Sequence, residues 1–144
     1  MRCLDAVLVL LLAAPACAFG ADAAAPAQQA QSWLELLDAG RYAQAWEQTA
    51  PTLRHDTDLA HWTQAQTVAR GSEKPTCRKF LGQQPREAPA RIDTLFVTEF
   101  ADGRRIAEKV SVSKAESSVT AYRIGPPPAD PKARCSAVDT ERRP

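Results

Sequence analysis

The chain has 144 residues, 44% of them apolar, and a formal net charge of +1 from 18 Lys and Arg against 17 Asp and Glu. That length fits one domain with a single core. The near-neutral balance excludes an electrostatic search for nucleic acid and leaves no polybasic handle for an anionic membrane.

Residues 1–18 have the pattern of a secretory signal peptide. Arg2 gives a short basic start, although Asp5 weakens it, and residues 6–14 (A-V-L-V-L-L-L-A-A) form an apolar run that Pro15 breaks. Ala16-Cys17-Ala18 then offers small residues for cleavage before Phe19. The run is too short for a transmembrane helix. A competing reading is a lipoprotein signal ending at Cys17, which would tether the domain to a membrane. Either way Cys3 is lost, and the expected location is periplasmic or secreted, in a bacterial envelope.

With cleavage before Phe19, Cys77 and Cys135 are the cysteines that remain, an even pair in an oxidising compartment, so a disulfide is expected between them. It would close a loop of about 58 residues and pin a Pro-rich tail, residues 125–144, to the body. A redox role would need a close pair such as C-x-x-C, which is absent here.

Residues 19–27 are Ala, Pro and Gln, a disordered leader or frayed helix start before a single domain over residues 28–124. Ala30, Trp33, Leu34 and Leu37 then fall at i, i+3, i+4 and i+7, one stripe of a helix running to Ala39. Gly40 is its expected stop, because a left-handed terminal residue suits glycine. Tyr42, Ala45, Trp46 and Thr49 repeat the spacing in a second helix from Arg41, which Pro51 should disturb or end. Thr57 or Asp58 caps a third helix through Leu59, Trp62 and Ala69, with Gly71 as its stop.

After Gly71 the pattern changes. Residues 76–81 predict a first strand, residues 82–89 a loop with two prolines, and from Arg91 the period becomes two. A hairpin turns at Ala101-Asp102-Gly103, and a last strand covers residues 118–124. Helices first and an antiparallel meander second predict an α+β fold, with three N-terminal helices packed on a curved sheet of three to four strands. A two-residue loop at the hairpin would place Phe96 and Phe100 beside Arg105 and Lys109. A three-residue loop instead sets Ile92, Phe96, Phe100, Ile106, Val110 and Val112 on one face, with Glu99 opposite Arg105, and burial favours it. That register puts one acid, Glu108, in the apolar row. It must lie at the rim, pair with a cation such as Arg123, or sit in a cleft with a raised pKa. The other face carries Leu95, Val97 and Ala107, a candidate homodimer contact if left exposed.

The run W-L-E-L-L-D-A-G-R-Y-A-Q-A-W-E, the following L-A-H-W and the strand segment F-A-D-G-R-R-I-A-E-K-V resemble the bacterial domain-of-unknown-function family numbered 4019. The resemblance covers residues 28–124. It implies a small exported domain of helices followed by an antiparallel sheet, similar to the cystatin-like or NTF2-like α+β group, with no activity or catalytic residues to carry over. The last strand departs from the family pattern, W-R-V-A-G-Y, and Cys77 and the tail with Cys135 look like additions.

No cofactor signature is present. The two histidines, His55 and His61, lie outside any H-E-x-x-H pattern, so no metal site is expected, and neither a phosphate loop nor a G-x-S-x-G elbow occurs. Two classes of function remain. The first is a non-catalytic envelope module that binds a small apolar ligand or a partner protein, in a pocket lined by Trp33, Trp46, Trp62, Phe96, Glu108 and Tyr122. The second is an enzyme of the open-cone type, in which Glu108 or His61 acts as general base, as an acid does in ketosteroid isomerase. A membrane-tethered lipoprotein module is the third alternative.

Overall fold

A computed structural model describes residues 26–136. The expected signal peptide, Cys17, the expected leader up to residue 25 and tail residues 137–144 lie outside them. Helix α1 (Pro26–Asp38) buries Ala30, Trp33, Leu34 and Leu37, the four positions of its apolar stripe. It ends at Gly40, with φ +69°. There the Gly40 and Arg41 amides donate to the carbonyls of Leu37 and Leu36, at 3.0 and 2.8 Å. This double capping satisfies two helix-end carbonyls and reverses the chain.

Helix α2 (Tyr42–Glu47) folds back on α1, and the Trp33 indole Nε1–H donates to the Ala45 carbonyl at 2.8 Å. Pro51 does not sit at its end. The helix stops at Glu47, and Pro51 opens a further short helix, α3 (Pro51–His55), at a position where its missing N–H is no loss. Helix α4 (Leu59–Arg70) starts at Asp58, whose carboxylate accepts from the His61 amide at 2.9 Å, and ends at Gly71. The Gly71 φ of +75° asks for glycine, while the nearest atom to an added Cβ, Arg104 Nη2 at 3.0 Å, belongs to a flexible side chain.

Four strands follow in a meander: β1 (Pro75–Glu87), β2 (Ala90–Phe100), β3 (Arg105–Ser113) and β4 (Val119–Gly125), each antiparallel to the next. The first strand does not give way to a loop at Gly82, as the two prolines predicted. It continues to Glu87 because β1 is an edge strand, where Pro85 can turn its missing donor away from β2. Gly82 (φ +154°) marks an irregularity in the β1–β2 register, a backbone that glycine accepts. The β2–β3 hairpin takes the three-residue loop, with the Phe100 amide donating to the Arg104 carbonyl at 2.9 Å and Glu99 opposite Arg105.

Phe96, Phe100, Ile106, Val110 and Val112 therefore face the helices and are buried. The opposite face is not an open apolar row. Val97 is fully covered within one chain, and Leu95 and Ala107 are half-buried. The chain leaves β4 at Gly125, opposite Ala107, and is tied to β1 at the far edge through the Cys77–Cys135 disulfide. Between those points it forms a short 3-10 helix, Pro131–Ala133, that buries Ala133, and the Cys135 amide donates to Glu99 at 3.3 Å. The tail straps the outer face of the sheet.

Replacing both Cys77 and Cys135 by Ser should lower stability by about 4 kcal/mol on loop-entropy grounds, read from urea unfolding. It should also bring the amides around Val97 into faster hydrogen exchange. Unchanged exchange there would mean that the tail does not cover the sheet.

Candidate functional site

Helix α1 delivers Asp38 from its last turn, α4 delivers Arg70, and strands β1 to β4 supply Arg78, Thr98, Glu108 and Tyr122. These six side chains meet between the helical layer and the sheet. Glu108 has 0% exposure and Arg70 3%. Arg70 donates through Nη1 to Glu108 Oε1 and through Nη2 to Asp38 Oδ1. Arg78 donates through Nη1 and Nη2 to the two Asp38 oxygens at 2.8 and 3.0 Å, and through Nε to Glu108 Oε2 at 3.3 Å. The Thr98 hydroxyl donates to Glu108 Oε2 and accepts from Arg78 Nε at 3.0 Å. Tyr122 OH donates to Glu108 Oε1 at 2.5 Å and accepts from Arg70 Nη1 at 2.8 Å. Two cations and two anions sum to zero.

Burial alone pushes the Glu108 carboxyl up, but the Arg78 and Arg70 guanidiniums, helped by Thr98 and Tyr122, outweigh it and hold it below the usual carboxylate range. Burial likewise works against the charge on Arg78 and Arg70, and the facing carboxylates overcome it, so both stay protonated. Desolvation and the neighbouring carboxylate raise the Tyr122 hydroxyl. This is a locked ion network, the reverse of a poised general base. It also corrects the expected pairing of Glu108. Arg123 stands opposite Lys109 on the other face, and the partners are Arg70 and Arg78.

The aromatic residues singled out in the sequence do come together. Trp33 contacts Trp62 and Tyr122 with ring centroids 6.1 and 5.2 Å apart, and Trp46 packs against Trp62 at 5.3 Å with the rings tilted by 48°. They form filled core rather than the lining of a hollow. Trp33, Phe96 and Glu108 are sealed, with Phe96 packed on Phe80 at 5.9 Å and paired across the strands with Glu108. Trp46 is half-buried. Only Trp62 and Tyr122 of the six also reach an open cleft of about 460 Å³, which α3 and α4 form with β4. Leu53 adds to its apolar floor, and Thr52, Asp56, Thr57, Gln66 and Thr120 form its rim. That volume is within the usual range for small-ligand sites. His61 is mostly exposed, its Nδ1 2.7 Å from the Asp58 carboxylate, and does not line the cleft.

Sequence reasoning missed Asp38, Arg70 and Arg78. A signal for each exists: Arg70 lies two helical steps beyond Trp62, through Gln66. Asp38 lies one step beyond Leu34, and Arg78 two residues before Phe80 on the same strand face. Among the described residues no group of three or more His, Cys, Asp or Glu could hold a metal ion, and no helix is long and apolar enough to cross a membrane.

A helical layer over a four-stranded antiparallel meander, closed by a neutral ion network and open at one sheet edge, defines a small α+β domain. The chain belongs to the family described as "Protein of unknown function (DUF4019)", whose sequence model matches residues 29–122. No curated protein and no solved structure matches it.

Glu108→Gln keeps the shape of the side chain but leaves two buried guanidiniums to one carboxylate, and should cost about 3–5 kcal/mol in urea unfolding. The pH dependence has a definite sign. The folded Glu108 pKa is depressed, so its contribution is present above the unfolded carboxylate pKa, about 4.3, and is lost as pH falls through the folded value. The wild-type urea midpoint should fall with acidification below that pH, and Glu108→Gln should flatten part of the slope. Equal slopes for both proteins would show that Glu108 is not held ionised.

Proposed function

We propose that the chain is an exported envelope protein that binds a partner or small ligand without transforming it. The observation that carries this reading is the state of Glu108. The acid that an open-cone enzyme would use is charge-compensated on both oxygens and shut away from the cleft. What is left accessible has the composition of a recognition site, an apolar floor of Leu53, Trp62 and Tyr122 under a rim of hydroxyl, amide and carboxylate groups. The signal-like N-terminus and the Cys77–Cys135 bond support a periplasmic or secreted location.

Intact mass of the protein from envelope fractions tests the export half. A soluble module gives a chain that starts near Phe19 and gains two alkyl groups only after reduction. A chain that starts at Cys17 with added acyl mass makes it a tethered lipoprotein instead, and an uncleaved chain with reactive thiols overturns export. For the binding half, Trp62→Ala should reduce ligand affinity about tenfold or more, as loss of a buried aromatic anchor does. Hydrolase or isomerase turnover that Glu108→Gln abolishes without unfolding the protein would overturn the non-catalytic reading.

A further inference from the structure

The cleft lies along the terminal strand of the sheet, and that strand is open. Beyond β3, the one β-bridge of β4 among the described residues is parallel, Thr49 with Val119 in the connection between α2 and α3, and α3 follows alongside. There the Val119 amide donates to the Gln48 carbonyl at 2.9 Å, and the Val119 carbonyl accepts from the Ala50 amide at 2.8 Å. At Pro51 the chain enters α3, and among the described residues no further strand lies beside residues 120–125. The chain's own segment thus begins a fifth strand and abandons it after one bridge. The opposite edge is blunted by Pro85, by Arg86 and by the irregularity at Gly82. The β4 edge has no proline; it carries one irregularity, where Thr120 is the extra residue between Val119 and Ala121, and one cation, Arg123.

That cation defines the second requirement. Arg123 stands directly opposite Lys109 on the outer face, a like-charge cross-strand pair. Such pairs are destabilising. Neither side chain has a hydrogen bond or ion pair to any described residue, whereas Arg105 is held by Glu99, and Arg86 and Arg91 by Asp93. Side chains of an added strand alternate between faces. Those turned inward would enter the cleft at Leu53 and Trp62, and those turned outward would stand beside Arg123.

We propose that the free edge of β4, residues 120–125, takes up an extended segment of a partner protein in which apolar and acidic residues alternate. Main-chain hydrogen bonds to β4 give affinity, the cleft selects the apolar side chains, and Arg123, backed by Lys109, selects the acidic ones. A second copy of this chain is the poorer occupant, because β4 (V-T-A-Y-R-I-G) contains no acid to offer Arg123. This inference rests on the binding-module reading and names the class of its partner.

The test is a titration of the isotope-labelled, disulfide-bonded protein followed by amide and indole chemical shifts. The probes are a capped peptide alternating valine and glutamate over about eight residues, enough to run along this edge, the same peptide with lysine for glutamate, and indole as a small apolar probe. Saturable shifts are expected for residues 120–125 and the Trp62 indole with the glutamate peptide, and binding at least about tenfold weaker with the lysine peptide. Arg123 is exposed, so Arg123→Glu should fold normally and reverse that order. Shifts on another surface, equal affinity for the two peptides, or an order unchanged by Arg123→Glu overturn the proposal. Concentration-dependent shifts at residues 120–125 without any peptide would assign the edge to a second copy and overturn it too. A response to indole alone defeats the peptide proposal and leaves the module reading standing. Silence towards all three probes defeats both.

Discussion

The structure depends on how two guanidiniums are held between two carboxylates in a nearly dry layer. Moving each of these ions out of water costs several kcal/mol, and only good geometry with every remaining site hydrogen-bonded repays it. Asp38, Arg70, Arg78 and Glu108 meet that condition because six elements each contribute a group, with Thr98 and Tyr122 completing the acceptors and donors. A shift of one residue in any strand would carry Arg78, Glu108 or Tyr122 to the other face of the sheet. The C-terminal ends of α1 and α4 are drawn to one place for the same reason. Arg70 suits the negative end of its helix, whereas Asp38 opposes its own and is stabilised there by the two guanidiniums.

The network also explains what the interior cannot do. A carboxylate serves as a base near neutral pH when desolvation raises its pKa without compensation. Glu108 has the desolvation, but two cations and two hydroxyl donors overcome it. The aromatic cluster beside it is equally closed. The Trp33 ring packs edge-on to Tyr122 while its N–H is spent on the Ala45 carbonyl. The accessible cleft lies instead at the periphery, where α3 and α4 meet β4.

Local patterns in the sequence carried much of this fold. The stripe Ala30, Trp33, Leu34 and Leu37, the Gly40 and Gly71 stops, the Asp58 cap and the hairpin register all follow from spacing and turn chemistry, which are short-range. The Cys77–Cys135 bond followed from counting the cysteines left after the expected signal cleavage. Pro51 and Pro85 were misread because a proline's effect depends on where its absent donor would point. That is a helix start in one case and a sheet edge in the other. Glu108 was visible as an anomaly in an apolar row, but its partners were not. Arg70 is 38 residues away and Arg78 is 30, and although each shares a face with an apolar neighbour, nothing local pairs either with Glu108. The cleft was invisible for a related reason, since it lies between α3, α4 and a strand far along the chain.

A meander of four strands has two faces and two edges to protect, and this chain treats them unequally. The helices cover one face, and the tail, leaving β4 and fastened to β1 by the disulfide, straps the other. The β1 edge is defended by proline, charge and irregular pairing. The fourth boundary could have been closed by a few more residues of strand after Thr49, in continuation of a bridge already formed with Val119. Instead Pro51 starts a helix, and a cleft with an apolar and polar lining is left between α3, α4 and β4. An edge without a neighbouring strand is an aggregation hazard in a protein with no use for it, and its position beside the cleft is what favours the proposed strand addition.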